Sequence, residues 1–184
     1  MALRTPARTV PSNRYRECVS PDQSPIAPSD AAIALRSFPR RYRALVLPIA
    51  DPAVEARSQQ VGPEGVSALE LMADTVRTWL IQREALRQTQ VHDFPIFHPA
   101  ILDPAERNWH NPVVDSCDAV LDQLTDLASD LADDLGTIHG DQWYRSGSVA
   151  GAGSVTALEI LDAAVVVGAE NLRRIERTLA AIRN

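Results

Sequence analysis

The sequence predicts a small all-α protein built as a four-helix bundle. Three observations carry that expectation. Four stretches place apolar residues at helical spacing, proline-bearing connections separate them, and Ala, Leu and Val dominate while aromatics make up only 5%. A β-sandwich would want more aromatic and β-branched residues. At 184 residues the chain is about one domain long, enough to bury a single substantial core.

Residues 1–28 hold Pro6, Pro11, Pro21, Pro25 and Pro28 among polar and Arg residues, so they read as a flexible tail ahead of a bundle over 29–184. Ser29 or Asp30 can cap a first helix from Ala31 to about Leu47, with a kink or a split expected at Pro39 and an end at Pro48 and Pro52. A second helix starts at Ser67, where Glu70 completes a capping box, and runs to about Gln88. Leu69, Met72, Ala73, Val76, Trp79 and Leu80 form its apolar face. The connection that follows, His92 to His110, is long and carries Pro95, Pro99 and Pro104; loops of that length often cover a site or a partner surface.

A third helix is expected from Asn111 as cap and Pro112 as first residue to Gly136. Cys117, Leu121, Leu124, Ala128, Leu131 and Leu135 alternate by four and three, a coiled-coil-like seam. Its other side holds Asp115, Asp118, Asp122, Asp126, Asp130, Asp133 and Asp134, which reads as a solvated face. The fourth helix begins at Thr156, where Glu159 makes a second capping box. Leu158, Leu161, Val165, Gly168, Leu172, Ile175, Leu179 and Ile182 form its stripe, and Ala164, Val166 and Val167 widen it, so this helix should be largely buried. Long connections on either side of the second helix allow non-adjacent helices to become neighbours.

The net charge of −6 argues against nucleic acid as a partner. No apolar run approaches the ~18 residues that would span a membrane. Nothing resembles a secretory signal, so a cytoplasmic protein is expected. All 18 basic residues are Arg, which removes Schiff-base and lysine-base chemistry. Cys18 and Cys117 form no disulfide framework. His92, His98, His110 and His139 all fall in expected loops, none at helical ligand spacing, although the first three could build a relocated metal site. Gly147, Gly151 and Gly153 sit in a turn before the fourth helix, without the lysine of a phosphate loop.

Taken in order, several landmarks follow one sequence plan: Ser67-Ala68-Leu69-Glu70, Phe94-Pro95, the leucine seam, Trp143-Tyr144-Arg145-Ser146-Gly147, Gly153-Ser154-Val155-Thr156 and Asn171-Leu172-Arg173-Arg174-Ile175. Over roughly residues 30–184 this resembles the DinB/YfiT-like superfamily of bacterial four-helix bundles, which includes thiol-dependent transferases and mycothiol-dependent maleylpyruvate isomerases. The resemblance implies a DinB-like bundle holding a divalent metal through one His of the second helix and an H-x-x-x-H pair of the fourth. That pair falls on Val167 and Asn171, and the second-helix ligand falls on Asp74 or, in the other alignment, Leu71. None is His, so the metal triad is expected to be lost and no metal or cofactor is predicted, a low-molecular-weight thiol apart. One carboxylate and one amide make a weak, hard-ligand remnant, although Asp74, Glu170 and Asn171 could be rebuilt around a hard cation.

The candidate site is therefore Asp74 as general base and Asn171 as a polar group for a ligand, with Val167, Glu170, Trp143 and Arg145 as binding positions. Trp143 and Arg145, just before the fourth helix, could frame a pocket mouth. Two readings follow. One is a metal-independent enzyme acting on a small organic molecule or thiol conjugate. The other is a non-catalytic small-molecule-binding or dimeric scaffold protein with a decayed metal site, its partners a small-molecule ligand and a second copy of the chain.

Overall fold

The computed structural model describes residues 25–47, 52–101, 116–150 and 153–183. Most of the expected tail, together with Cys18, Pro48, Pro104, His110, Asn111, Pro112, Asp115 and Gly151, lies outside the described residues.

Helix α1 (Pro28–Val46) begins three residues before its expected start, with Pro28 at the first turn where a missing N–H costs nothing. It runs unbroken through Pro39, against the expected kink or split. Proline removes one backbone bond there, but Leu35, Phe38, Pro39 and Tyr42 are all buried on the flanking turns, and packing holds the helix together. A short helix α2 (Pro52–Ser58) occupies the expected connection. Helix α3 (Ala68–Val91) starts on the predicted capping box: the Ser67 amide donates to Glu70 Oε2 at 2.7 Å, and the Glu70 amide donates to Ser67 Oγ at 3.2 Å.

Helix α4 (Cys117–Leu135) begins later than expected, with Ser116 Oγ accepting from the Ala119 amide at 3.2 Å. The Cys117 amide donates to Glu55 Oε2 of α2 at 2.9 Å, so a carboxylate sits where the helix dipole favours one. Every residue of the predicted leucine seam is buried. Helix α5 (Ala157–Arg183) starts on the second predicted capping box, Thr156 with Glu159. It is less buried than expected: Val166 is 44% exposed, because it lies about 140° around the helix from Leu161 at ~100° per residue. Leu80 of α3 is likewise exposed rather than part of the core face.

A small sheet was not anticipated. Strands β1 (Ile96–Phe97), β2 (Ser146–Val149) and β3 (Gly153–Thr156) pair in that order, β1–β2 parallel and β2–β3 antiparallel. Gly147 is thus in a strand rather than a turn, and a Cβ there would lie 2.4 Å from the Phe97 ring and 2.5 Å from the Pro95 carbonyl oxygen. Only glycine lets these segments close.

Around the bundle the long helices follow the order α1, α4, α3, α5, each packed on its two neighbours. The consecutive pairs α1/α3 and α4/α5 therefore face each other across the core, which the long connections make possible. Phe38 bridges Trp79 (ring centroids 5.9 Å) and Tyr42 (6.4 Å) at the centre. The acidic side of α4 is more than a solvated face. Arg36 and Arg43 of α1 reach Asp133 and Asp122, while Arg83 of α3 joins Asp130 and Asp134, both at 2.6 Å. Among the described residues no helix is long and apolar enough to cross a membrane.

Candidate functional site

Antiparallel packing of α3 on α5 sets Leu71–Thr75 against Gly168–Asn171. Asn171 is 4% exposed, and its amide nitrogen donates to Thr75 Oγ1 at 3.0 Å and Asp74 Oδ2 at 3.1 Å, with the Leu71 carbonyl oxygen at 3.4 Å. Thr75, fully buried, returns its own proton to the Leu71 carbonyl at 3.0 Å, the usual way a mid-helix threonine satisfies itself. The Tyr42 hydroxyl lies 3.1 Å from Thr75 Oγ1 and donates to the Gly168 carbonyl at 2.8 Å. On the outer side, Arg174 donates to Asn171 Oδ1 at 3.3 Å and to Glu64 Oε2 at 2.9 Å. The result is a continuous polar network through α1, α3 and α5, closed over by the turn that carries Glu64.

Burial dominates its electrostatics. Desolvation pushes the Tyr42 phenol well above its usual range; the close contact with Thr75 Oγ1 works against this, and the nearby Asp74 carboxylate adds to it. Hydrogen bonds from Arg174 and Arg177 hold the Glu64 carboxyl below the ordinary range. Gly168 makes room for the aromatic pair beside the network: a Cβ there would come within 2.9 Å of both Phe38 and Trp79. Trp79 in turn donates its ring N–H to the Ala164 carbonyl at 2.9 Å.

The structure brings together Asp74 and Asn171, which touch, and places Val167 half-buried one turn before Asn171 on α5. Glu170 is exposed, outside the network. Trp143 is buried, not at a mouth. Arg145 donates to the Gln90 carbonyl and to Asp93, both at 2.9 Å, bracing the far end of α3. With the network at Thr75 and the brace at Gln90, the two lie roughly 22 Å apart along the helix at ~1.5 Å per residue. His98 Nδ1 accepts from the Ala100 amide at 3.1 Å. Among the described residues no group of three or more His, Cys, Asp or Glu is arranged to hold a metal ion.

Tyr42, Thr75, Arg174 and Glu64 carried no assignment from sequence. Thr75 follows Asp74 directly, in the Ala73-Asp74-Thr75 run, and that adjacency was the one available signal. Tyr42 is far away in sequence and joins only because α1 and α3 face each other across the core.

Helix order, capping boxes and the buried α3–α5 face define a four-helix bundle with long connections. YfiT from Bacillus subtilis, described as "a probable metal-dependent hydrolase with an unusual four-helix bundle topology", shares this fold at TM-score 0.73, covering 90% of this chain and 94% of its own at 14% identity. No protein-family model and no curated protein matches the chain.

The residues at the positions where the resemblance implies a metal do not suit one. Val167 has no donor atom, and Asn171 turns its amide hydrogens, not its carbonyl oxygen, toward Asp74. A cation would have to displace that amide from three oxygen acceptors.

Proposed function

We propose that this protein is a non-catalytic, small-molecule-binding relative of the DinB-like bundles, whose metal centre has given way to an internal hydrogen-bond network. One observation carries this reading: the Asn171 amide stands among Thr75 Oγ1, Asp74 Oδ2 and the Leu71 carbonyl at 3.0–3.4 Å. It supplies partial positive charge to these three oxygens, and a hydrogen bond of this kind is worth about 1 kcal/mol. The chemistry of metal-dependent hydrolysis belongs to YfiT's description and is not carried over.

The experiment is metal analysis of the purified protein, together with thermal unfolding in added Zn²⁺, Ni²⁺ or Mn²⁺. The reading expects less than about one tenth of an equivalent of bound metal and no stabilisation by any of the three. Stoichiometric metal that is lost in Asn171→Ala would overturn it.

The second reading, a metal-independent enzyme acting on a small organic molecule or thiol conjugate, has the 3.1 Å contact between half-buried Asp74 and Asn171 in its favour. It expects turnover that Asp74→Asn abolishes while the fold is retained. The first reading fits better because Asn171 spends both amide hydrogens inside the protein.

A further inference from the structure

α1 and α4 part along a groove of ≈ 310 Å³ lined by Arg36, Pro39, Arg40, Arg43, Thr125, Ala128 and Ser129. Its cause is local. Pro39 and Ala128, both buried, meet at the helix contact with too little side chain to fill it, while longer residues stand on either side.

Arg36, Arg40 and Arg43 recur at four and three residues and so share one face of α1. Opposite them, α4 presents Asp122, Thr125, Ser129 and Asp133 at the same kind of spacing. The outer arginines find their complements, Arg36 on Asp133 and Arg43 on Asp122 at 3.0 Å. The middle arginine does not. Across the groove from Arg40 the acidic row is interrupted by two hydroxyl residues and a methyl group. Thr125 spends its proton on the Leu121 carbonyl at 2.7 Å, which leaves Ser129 and Arg40 as the donors aimed at the gap. Neither has a hydrogen-bond or ion-pair partner among the described residues.

The geometry points to this groove as the binding site for a small organic oxyanion, a carboxylate or phosphate monoester. Its charged end is held by the Arg40 guanidinium and the Ser129 hydroxyl. Its organic body lies on the apolar floor of Pro39 and Ala128. The flanking ion pairs are neutral as pairs, and Arg40 adds a further positive charge at the groove, opposed by exposed Asp126 at its rim, on a protein whose net charge is −6. The groove is wider than a bare ion requires, which selects a ligand with a body. This site lies at the α1–α4 contact, apart from the Asn171 network. It deepens the small-molecule-binding reading and names a ligand class for it.

The test is titration of the whole protein with phenyl phosphate, benzoate, inorganic phosphate and neutral benzyl alcohol, followed through the amide NMR signals of Thr125, Ala128 and Ser129. At least one organic oxyanion should shift these signals saturably at millimolar concentration or below, and benzyl alcohol should not. Arg40→Gln should weaken that binding at least tenfold. Ala128→Leu, which fills the floor without touching charge, should weaken it too, with circular dichroism reporting an intact fold. No saturable shift up to 10 mM, binding indifferent to Arg40→Gln, or inorganic phosphate bound as tightly as the organic ligand would overturn the proposal. None of these results bears on metal content, so failure here and failure of the metal reading are told apart.

Discussion

Asn171 is a buried amide whose whole worth lies in donating. Exchange for an acceptor of the same shape is therefore a sharper test than truncation. Asn171→Asp sets a carboxylate against Thr75 Oγ1, Asp74 Oδ2 and the Leu71 carbonyl, and should cost more than the ~2 kcal/mol expected of Asn171→Ala. Burial and the Asp74 charge raise the pKa of the new carboxyl in the folded state. The folded state then holds its proton more tightly than the unfolded one, so stability should recover as pH falls, and urea unfolding between pH 4 and pH 8 reads this directly. Tyr42 gives the complementary alkaline signature. Its phenol is raised in the fold, so its contribution is intact below the unfolded value of ~10 and is lost as pH rises beyond it. Burial pushes the Cys117 thiol up to about 11, which adds an earlier decline from ~8.5. Tyr42→Phe should be less stable at pH 8 by about 1 kcal/mol yet lose less between pH 9 and pH 11, measured by chemical denaturation. A parallel loss in the variant and the parent would refute the assignment.

Among the elements, α5 shows local preference and packing in direct opposition at Gly168. Alanine there would gain about 1 kcal/mol of helix propensity. Against this, its Cβ would press to 2.9 Å on the Phe38 and Trp79 rings, both buried, and overpacking of that kind costs about 1–3 kcal/mol. Gly168→Ala should therefore be destabilising on balance, with a melting temperature a few degrees lower; a higher one would mean the aromatic pair relaxes freely. The elements also differ in how legible they were. The Ser67–Glu70 and Thr156–Glu159 capping boxes are local patterns of four residues, and the structure forms both as the sequence predicts. The start of α4 and the sheet depend on distant partners. Glu55 meets Cys117 across 62 positions, and β1 has two residues, too few for an alternating pattern to register. Pro39 misleads for the same reason, since its local cost is outweighed by tertiary burial.

At the scale of the whole molecule, the bundle was readable because apolar stripes at helical spacing must be buried, and four such stripes leave few alternatives. Which helices become neighbours was not. Tyr42 enters the Asn171 network, and Arg40 faces Thr125 and Ser129, only because α1 lies across from α3 and beside α4. The acidic face of α4 likewise changes meaning once arginines from both neighbours are seen to reach it. Asp74 and Asn171 could be brought together from sequence only through a resemblance, whereas Trp143 and Arg145 lie away from them, Arg145 at the opposite end of α3. The Asn171 network also bears on the direction change can take. Histidine at position 171 alone would withdraw a donor from three oxygens, and histidine at 167 alone would supply a single imidazole. Either step loses stability or gains nothing before any metal is bound to compensate. Single substitutions toward histidine at these positions thus run uphill, and the network guards its own composition: each member is held in place by the partners it would leave behind.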